Sequence, residues 1–199
     1  VKQAMRIYSL LALILASLSV SGFADTTGID VTLSASIMTN TCELSLPEGG
    51  NIQLPVVPRS WFYNPDGSDR FKPTDDADGK KFTVQVTDCG GNTLGKDNTL
   101  HFTFRPQSRG IASQKQVFVN ERENAPEGAK NVGVVIFSEA SHQNVLQSDG
   151  TSDVIFNNAS SQSADNYLTW YTFYARYQNT GEVSSGRVTS NVLVSVTYE

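Results

Sequence analysis

Few residues in this chain are equipped for chemistry. Among 199 residues there are two cysteines, two histidines and two tryptophans. His101 and His142 stand far apart in sequence, with no recognisable nucleophile or carboxylate set beside them. No Gly-x-Ser-x-Gly occurs, so a hydrolase built on a nucleophile elbow is excluded. Cys42 and Cys89 do not form a C-x-x-C pair, which removes the usual redox and zinc arrangements. Basic charge is scarce: 15 Lys and Arg face 20 Asp and Glu, a formal net of −5. A surface that tracks phosphates needs the opposite balance, so nucleic acid is not a partner. No apolar run of membrane-spanning length is present, and no helical periodicity exceeds two turns after the first segment.

What is present begins with an export signal. Lys2 and Arg6 precede an apolar run over residues 7–20, and Ser21-Gly22-Phe23-Ala24 follows. This order matches a secretory signal peptide, with cleavage expected before Asp25. The run of about 14 residues is short for a span of roughly 20. The opening Val1 points to a non-standard start or to Met5 as the true one. Removal of residues 1–24 leaves 13 basic against 20 acidic residues, a net of −7. In an exported chain the lone pair Cys42 and Cys89 is expected to form a disulfide, worth about 4 kcal/mol by loop closure.

Two-residue alternation dominates the rest. Phe82, Val84 and Val86 alternate with polar residues before Cys89, and Leu100, Phe102 and Phe104 do the same. Short strands are also expected at 116–119 and 153–156, with a long aromatic one over 167–178. Residues 131–137 are almost continuously apolar, as in a strand covered on both faces. Residues 51–57, stopped by Pro55 and Pro58, predict an edge or broken strand. Residues 64–81 are polar and predict a surface loop. Many short strands separated by Gly, Asn, Asp and Ser predict one all-β sandwich domain.

The two ends carry the functional signal. Val192, Val194, Val196 and Tyr198 alternate up to the terminal Glu199, an apolar strand with no sequence beyond it to supply a neighbour. Ile29, Val31, Leu33, Ala35 and Ile37 show the same period upstream of Cys42. On pattern alone this leading segment fits equally a first strand of its own domain or a strand made to be lent.

In order along the chain, Phe82-x-Val-x-Val-x-Asp88-Cys89, Val132-Gly-Val-Val-Ile136, Tyr174-Ala-Arg-Tyr177, Thr180-Gly181 and Gly186 resemble the pilin subunits of chaperone–usher fimbriae, of the type 1 and P pilus kind. Gly186, fourteenth from the end, and the penultimate Tyr198 match that family's C-terminal signature. The resemblance implies an incomplete immunoglobulin-like sandwich that lacks its last strand and is completed by a donor strand from another chain. It implies a domain over 39–199 and a donor extension over 25–38, with Ile29, Val31, Leu33, Ala35 and Ile37 as donor residues. The acceptor groove would be formed at Val192, Val194, Val196 and Tyr198. Implied partners are a periplasmic pilus chaperone that holds the carboxylate of Glu199, an outer-membrane usher and neighbouring pilin subunits. The protein would pass through the periplasm into an extracellular fimbrium, with no catalysis, cofactor or metal. Strand addition of this kind is a recognised binding mode.

Two departures favour a minor or adaptor subunit. Ala35 stands where the family pattern has glycine, seven residues before the first cysteine, and residues 61–80 lengthen the segment between the cysteines. A subunit with its own receptor site is the alternative. Trp61-Phe62-Tyr63, three adjacent aromatics expected to be exposed, is the candidate contact for it. Trp170, Tyr171, Phe173, Tyr174 and Tyr177 resemble a sugar platform, yet at strand period they divide between two faces. Asp75-Asp76-Ala77-Asp78-Gly79 fails as a calcium loop, since Thr74 and Gln85 occupy its first and twelfth positions. Asn158-Ala159-Ser160 is a glycosylation triplet of the kind chance supplies.

Overall fold

The computed structural model describes residues 41–90, 99–107, 115–157 and 167–199 in full, and the backbone of 29–35. The expected signal segment, Ile37 and the Asn158 triplet lie outside the described residues. Ten strands follow in chain order: β1 (Ile29–Ala35), β2 (Glu43–Ser45), β3 (Asn51–Leu54), β4 (Lys80–Asp88), β5 (Thr99–Pro106), β6 (Phe118–Val119), β7 (Val132–Ser138), β8 (Val154–Asn157), β9 (Trp170–Asn179) and β10 (Ser190–Tyr198). They form two five-stranded sheets, ordered β3-β1-β10-β5-β8 and β2-β4-β9-β7-β6.

The period-2 strands each bury one face. Leu100, Phe102 and Phe104 of β5 point inward, as do Phe82, Val84 and Val86 of β4 and Val192, Val194 and Val196 of β10. The sheets meet through aromatic rings: Phe104 and Phe173 lie 5.0 Å apart between centroids, and Phe102 and Tyr171 4.7 Å. Such pairs add to the area they bury because ring edges meet ring faces. Cys42 and Cys89 are bonded across a separation of 47 residues and sit within this core.

All seven residues of β7 are buried, because a second layer lies outside it. Val135 and Phe137 cluster with Val117 and Tyr174 away from the main core. Residues 64–79 form a surface loop, as expected, and the part 69–78 is stapled over this face. Arg176 is 3% exposed, and its Nη2 donates to the carbonyls of Lys72 (2.8 Å) and Asp75 (2.7 Å). Gln178 donates to Phe71 O, and Tyr174 donates its hydroxyl to Asp76 O. Burial lowers the Arg176 pKa to about 10, which leaves it charged at neutral pH. The staple explains how a charged side chain is tolerated inside: its Nη1 and Nη2 protons meet oxygens of Tyr177, Gln178, Lys72 and Asp75.

Trp61-Phe62-Tyr63 also departs from expectation. A short 3-10 turn, Arg59–Phe62, buries Phe62 and lays Trp61 against Phe62, Phe71 and Tyr177. The Tyr63 hydroxyl accepts the Val183 N–H at 2.9 Å. These rings are packing, not a free contact surface.

Candidate strand-acceptor site

The central relationship is between β10 and its two neighbours. On one side β5 pairs antiparallel from Val192 to Tyr198, with Val194 opposite Phe104 and Val196 opposite Phe102. On the other side β1 pairs parallel, with Val31 opposite Ser190, Leu33 opposite Val192 and Ala35 opposite Val194. The outer edge of β1 takes β3, antiparallel, with Ile29 opposite Leu54 and Val31 opposite Ile52. The odd-numbered positions of β1 are thus in register with buried positions on both sides, Ile52 and Leu54 on one and Ser190, Val192 and Val194 on the other. Among the described residues, β3 reaches the other strands of its sheet only through β1. The position between β3 and β10 is a slot one strand wide, and the chain's own leading segment lies in it. The resemblance placed another chain's strand there; in the single molecule the occupant is internal.

The slot is shorter than the apolar pattern of β10. Thr41 bridges Thr197, and the Cys42 N–H donates to Val196 O at 3.0 Å. The disulfide-linked segment therefore covers β10 beyond Val194 on the slot side. Val192 and Val194 face the slot occupant, while Val196 answers to Cys42. Tyr198 is half-buried and packs against the core, opposite Leu100. Glu199 continues the pairing: its carbonyl accepts the Thr99 N–H at 2.8 Å, and its side chain lies 3.1 Å from His101 Nε2. Asp153 Oδ1 lies 2.8 Å from the other ring nitrogen, Nδ1.

At the opposite end, β10 is preceded by a tight crossing. Gly186 has φ +152°, and a Cβ there would lie 2.4 Å from Ala129 N and 2.5 Å from Gly128 C. Only glycine allows the two backbones to approach this closely. Beside the crossing is an open cleft of about 680 Å³ whose lining includes Val56, Phe62, Ala129, Tyr177 and Val188. The Tyr177 hydroxyl is buried with no hydrogen-bond partner, and burial raises its pKa.

Two functional features escaped the sequence reading. The Thr41–Cys42 stop at the far end leaves no periodic signal, because two residues make no period. Asn120 and Glu121, which bind the first residues of β10, act across about 70 positions.

The two sheets form an immunoglobulin-like β-sandwich with a one-strand slot beside its last strand. A family model described as fimbrial protein matches residues 31–199. The chain is 34% identical over 177 residues to the fimbrial-like protein YadK of Escherichia coli (strain K12), covering 86% of each chain. The chain belongs to the fimbrial protein family: it is a non-enzymatic subunit of the extracellular fimbrium that associates with other pilin subunits.

Proposed function

We propose that this subunit is assembled by strand exchange at the β3–β10 slot, as a minor or adaptor component of a fimbria that supports adhesion. Residues 29–37, of which 29–35 lie here in the chain's own slot, are the segment given to a neighbour; the slot they vacate takes a neighbour's segment in turn. A periplasmic chaperone holds the slot filled before assembly, and an outer-membrane usher is the place of exchange. The observation that carries this reading is that, among the described residues, β3 and β10 are joined in the sheet only through β1. A vacant slot exposes Ile52, Leu54, Val192 and Val194 along with unpaired backbone, a surface that invites aggregation. Filling it with large side chains returns roughly 1.5–3 kcal/mol for each one. The ladder adds about 0.5–1.5 kcal/mol per hydrogen bond.

The test compares the processed chain with a variant lacking residues 25–37, each co-expressed with a pilus chaperone and then mixed with intact subunit. The variant is expected to bind chaperone and to cap an intact neighbour, yet to form no polymer by itself. Polymers from the variant alone, or loss of its chaperone complex, would overturn the assignment.

A further inference from the structure

The chain holds three Asp-Gly pairs, at 66–67, 78–79 and 149–150, and no Asn-Gly. Such a pair can rearrange with water as the sole reagent, because glycine has no side chain to shield its amide. The glycine nitrogen loses its proton and attacks Cγ of the preceding aspartic acid. A C–N bond forms, the carboxyl hydroxyl leaves as water, and a five-membered cyclic imide results. Water then reopens the ring at either carbonyl. The product is aspartate again, or isoaspartate, whose backbone runs through Cγ, and the net composition is unchanged. Two things govern the rate: where the glycine N–H points, and whether the carboxyl group is turned toward it.

At two of the three pairs the fold blocks both. The Gly67 N–H donates to Asn64 O and the Gly150 N–H to Gln147 O, each at 2.9 Å, closing a four-residue turn. Asp66 Oδ1 accepts the Ser68 N–H at 2.9 Å and its hydroxyl at 2.6 Å. Asp149 Oδ1 accepts the same two groups of Thr151, at 2.8 Å and 2.7 Å. The hydroxyl bond first, then the amide bond, holds each of these carboxyls below the usual carboxylate range. The anion is the poorer electrophile, so the same bonds that fix the group also keep it unreactive.

At the third pair the arrangement is reversed. The Gly79 N–H donates to Oδ1 of Asp78 itself, at 3.2 Å. The lone pair left by the departing proton lies along the former N–H bond, so it faces the carboxyl group that it must attack. Asp78 has φ +62° and Gly79 φ +125°, a backbone turned into the region few residues adopt. The other carboxylate oxygen lies 3.5 Å from Arg70 Nη2, in an ion pair more than a third exposed on both sides. A pair of that kind restrains the group only weakly.

We propose that Asp78 is a modification site that converts spontaneously to isoaspartate, while Asp66 and Asp149 are protected by their turns. The product adds one methylene to the backbone between Asp76, whose carbonyl Tyr174 holds, and Lys80, which pairs with Ala175. Conversion therefore loosens the stapled segment from within the chain.

The test ages the full processed chain, disulfide intact, in warm neutral buffer made with heavy-oxygen water. Peptide mapping scores heavy oxygen and isoaspartate at each pair, in the folded protein and in urea. Folded, residue 78 is expected to convert about tenfold faster than residues 66 and 149. In urea the three rates are expected to agree within about threefold, since geometry no longer separates them. Asp78→Glu, which needs a six-membered ring, is expected to lose the product at 78 and to keep the other two rates. Folded-state rates at 66 or 149 equal to that at 78 would overturn the assignment. The same excess persisting in urea would overturn the geometric cause. Limited proteolysis is expected to cut the aged chain within residues 64–79 sooner than the fresh one; equal resistance would overturn the loosening.

Discussion

The Cys42 N–H and the Val196 carbonyl meet at 3.0 Å, which makes the disulfide and the far end of the strand slot one piece of structure. Cys89 carries the disulfide on to the end of β4, so the last strand of one sheet is linked to the other sheet by one hydrogen bond followed by one disulfide. A bond of this kind sets where a strand beside β10 must stop.

The double variant Cys42→Ala with Cys89→Ala is expected to lose about 4 kcal/mol of stability. Urea unfolding measures the loss. Amide exchange at residue 42 should also rise sharply in native buffer, since the amide now sits on an untethered segment. A variant that lost stability while residue 42 stayed protected would separate the disulfide from the slot's end.

Val194 is fully buried between the sheets and stands opposite both Ala35 and Phe104. Val194→Asp would place an unpaired carboxylate there, at a cost above about 4 kcal/mol, against a total domain stability of about 5–15. Accumulation in the periplasm is expected to collapse even with chaperone present. Yield equal to the parent's would contradict the placement of Val194 at the slot.

Arg176→Met keeps a long apolar side chain against Phe71 and Phe137 but abandons the carbonyls of Lys72 and Asp75. A hydrogen bond from a charged group is worth about 1.5–3 kcal/mol, and the variant loses two of them. Limited proteolysis is expected to cut within residues 64–79 in the variant and to spare the parent. Equal resistance in both would mean that the segment holds itself in place without the arginine.

Alkaline unfolding has a definite direction. Burial, with Asp76 as the next cause, pushes the Tyr174 pKa up to about 12 from its ordinary 10.0, and burial likewise raises Tyr171 and Tyr177. Because the folded values lie above the unfolded ones, their stabilising contribution is complete below pH 10. It is lost as pH climbs through about 12. Phenolate absorbance from these residues should therefore appear together with the loss of β-sheet circular dichroism. Ionisation of all three well before unfolding would show that they are not enclosed.

The long strands were legible because their chemistry is local. β4, β5 and β10 alternate cleanly, and the apolar run of β7 correctly implied cover on both faces. β2 was not legible: three residues with only Leu44 half-buried are held by pairing with β4, not by any pattern of their own. Residues 64–79 were legible as a loop, but their anchoring was not: it comes from Arg176, Gln178 and Tyr174, about a hundred residues away. Trp61-Phe62-Tyr63 misled for a related reason. The sequence gives no sign of the 3-10 turn Arg59–Phe62 that turns Phe62 into the core and Trp61 onto Phe71 and Tyr177. At the site, the apolar faces of β1 and β10 were visible in sequence. Their parallel pairing within one molecule was not, since alternation carries no direction.

That internal occupancy imposes a kinetic and energetic condition on polymer growth. A segment tethered to its own slot competes at an effective concentration near the millimolar range. Against a rival supplied at micromolar level, it has an advantage of about a thousandfold, or roughly 4 kcal/mol. A neighbour's segment must exceed that margin by intrinsic fit, or meet a slot that something else has kept from closing on itself. Isolated subunits should accordingly remain monomers on dilution, and fibre growth should need a partner that intervenes before self-closure.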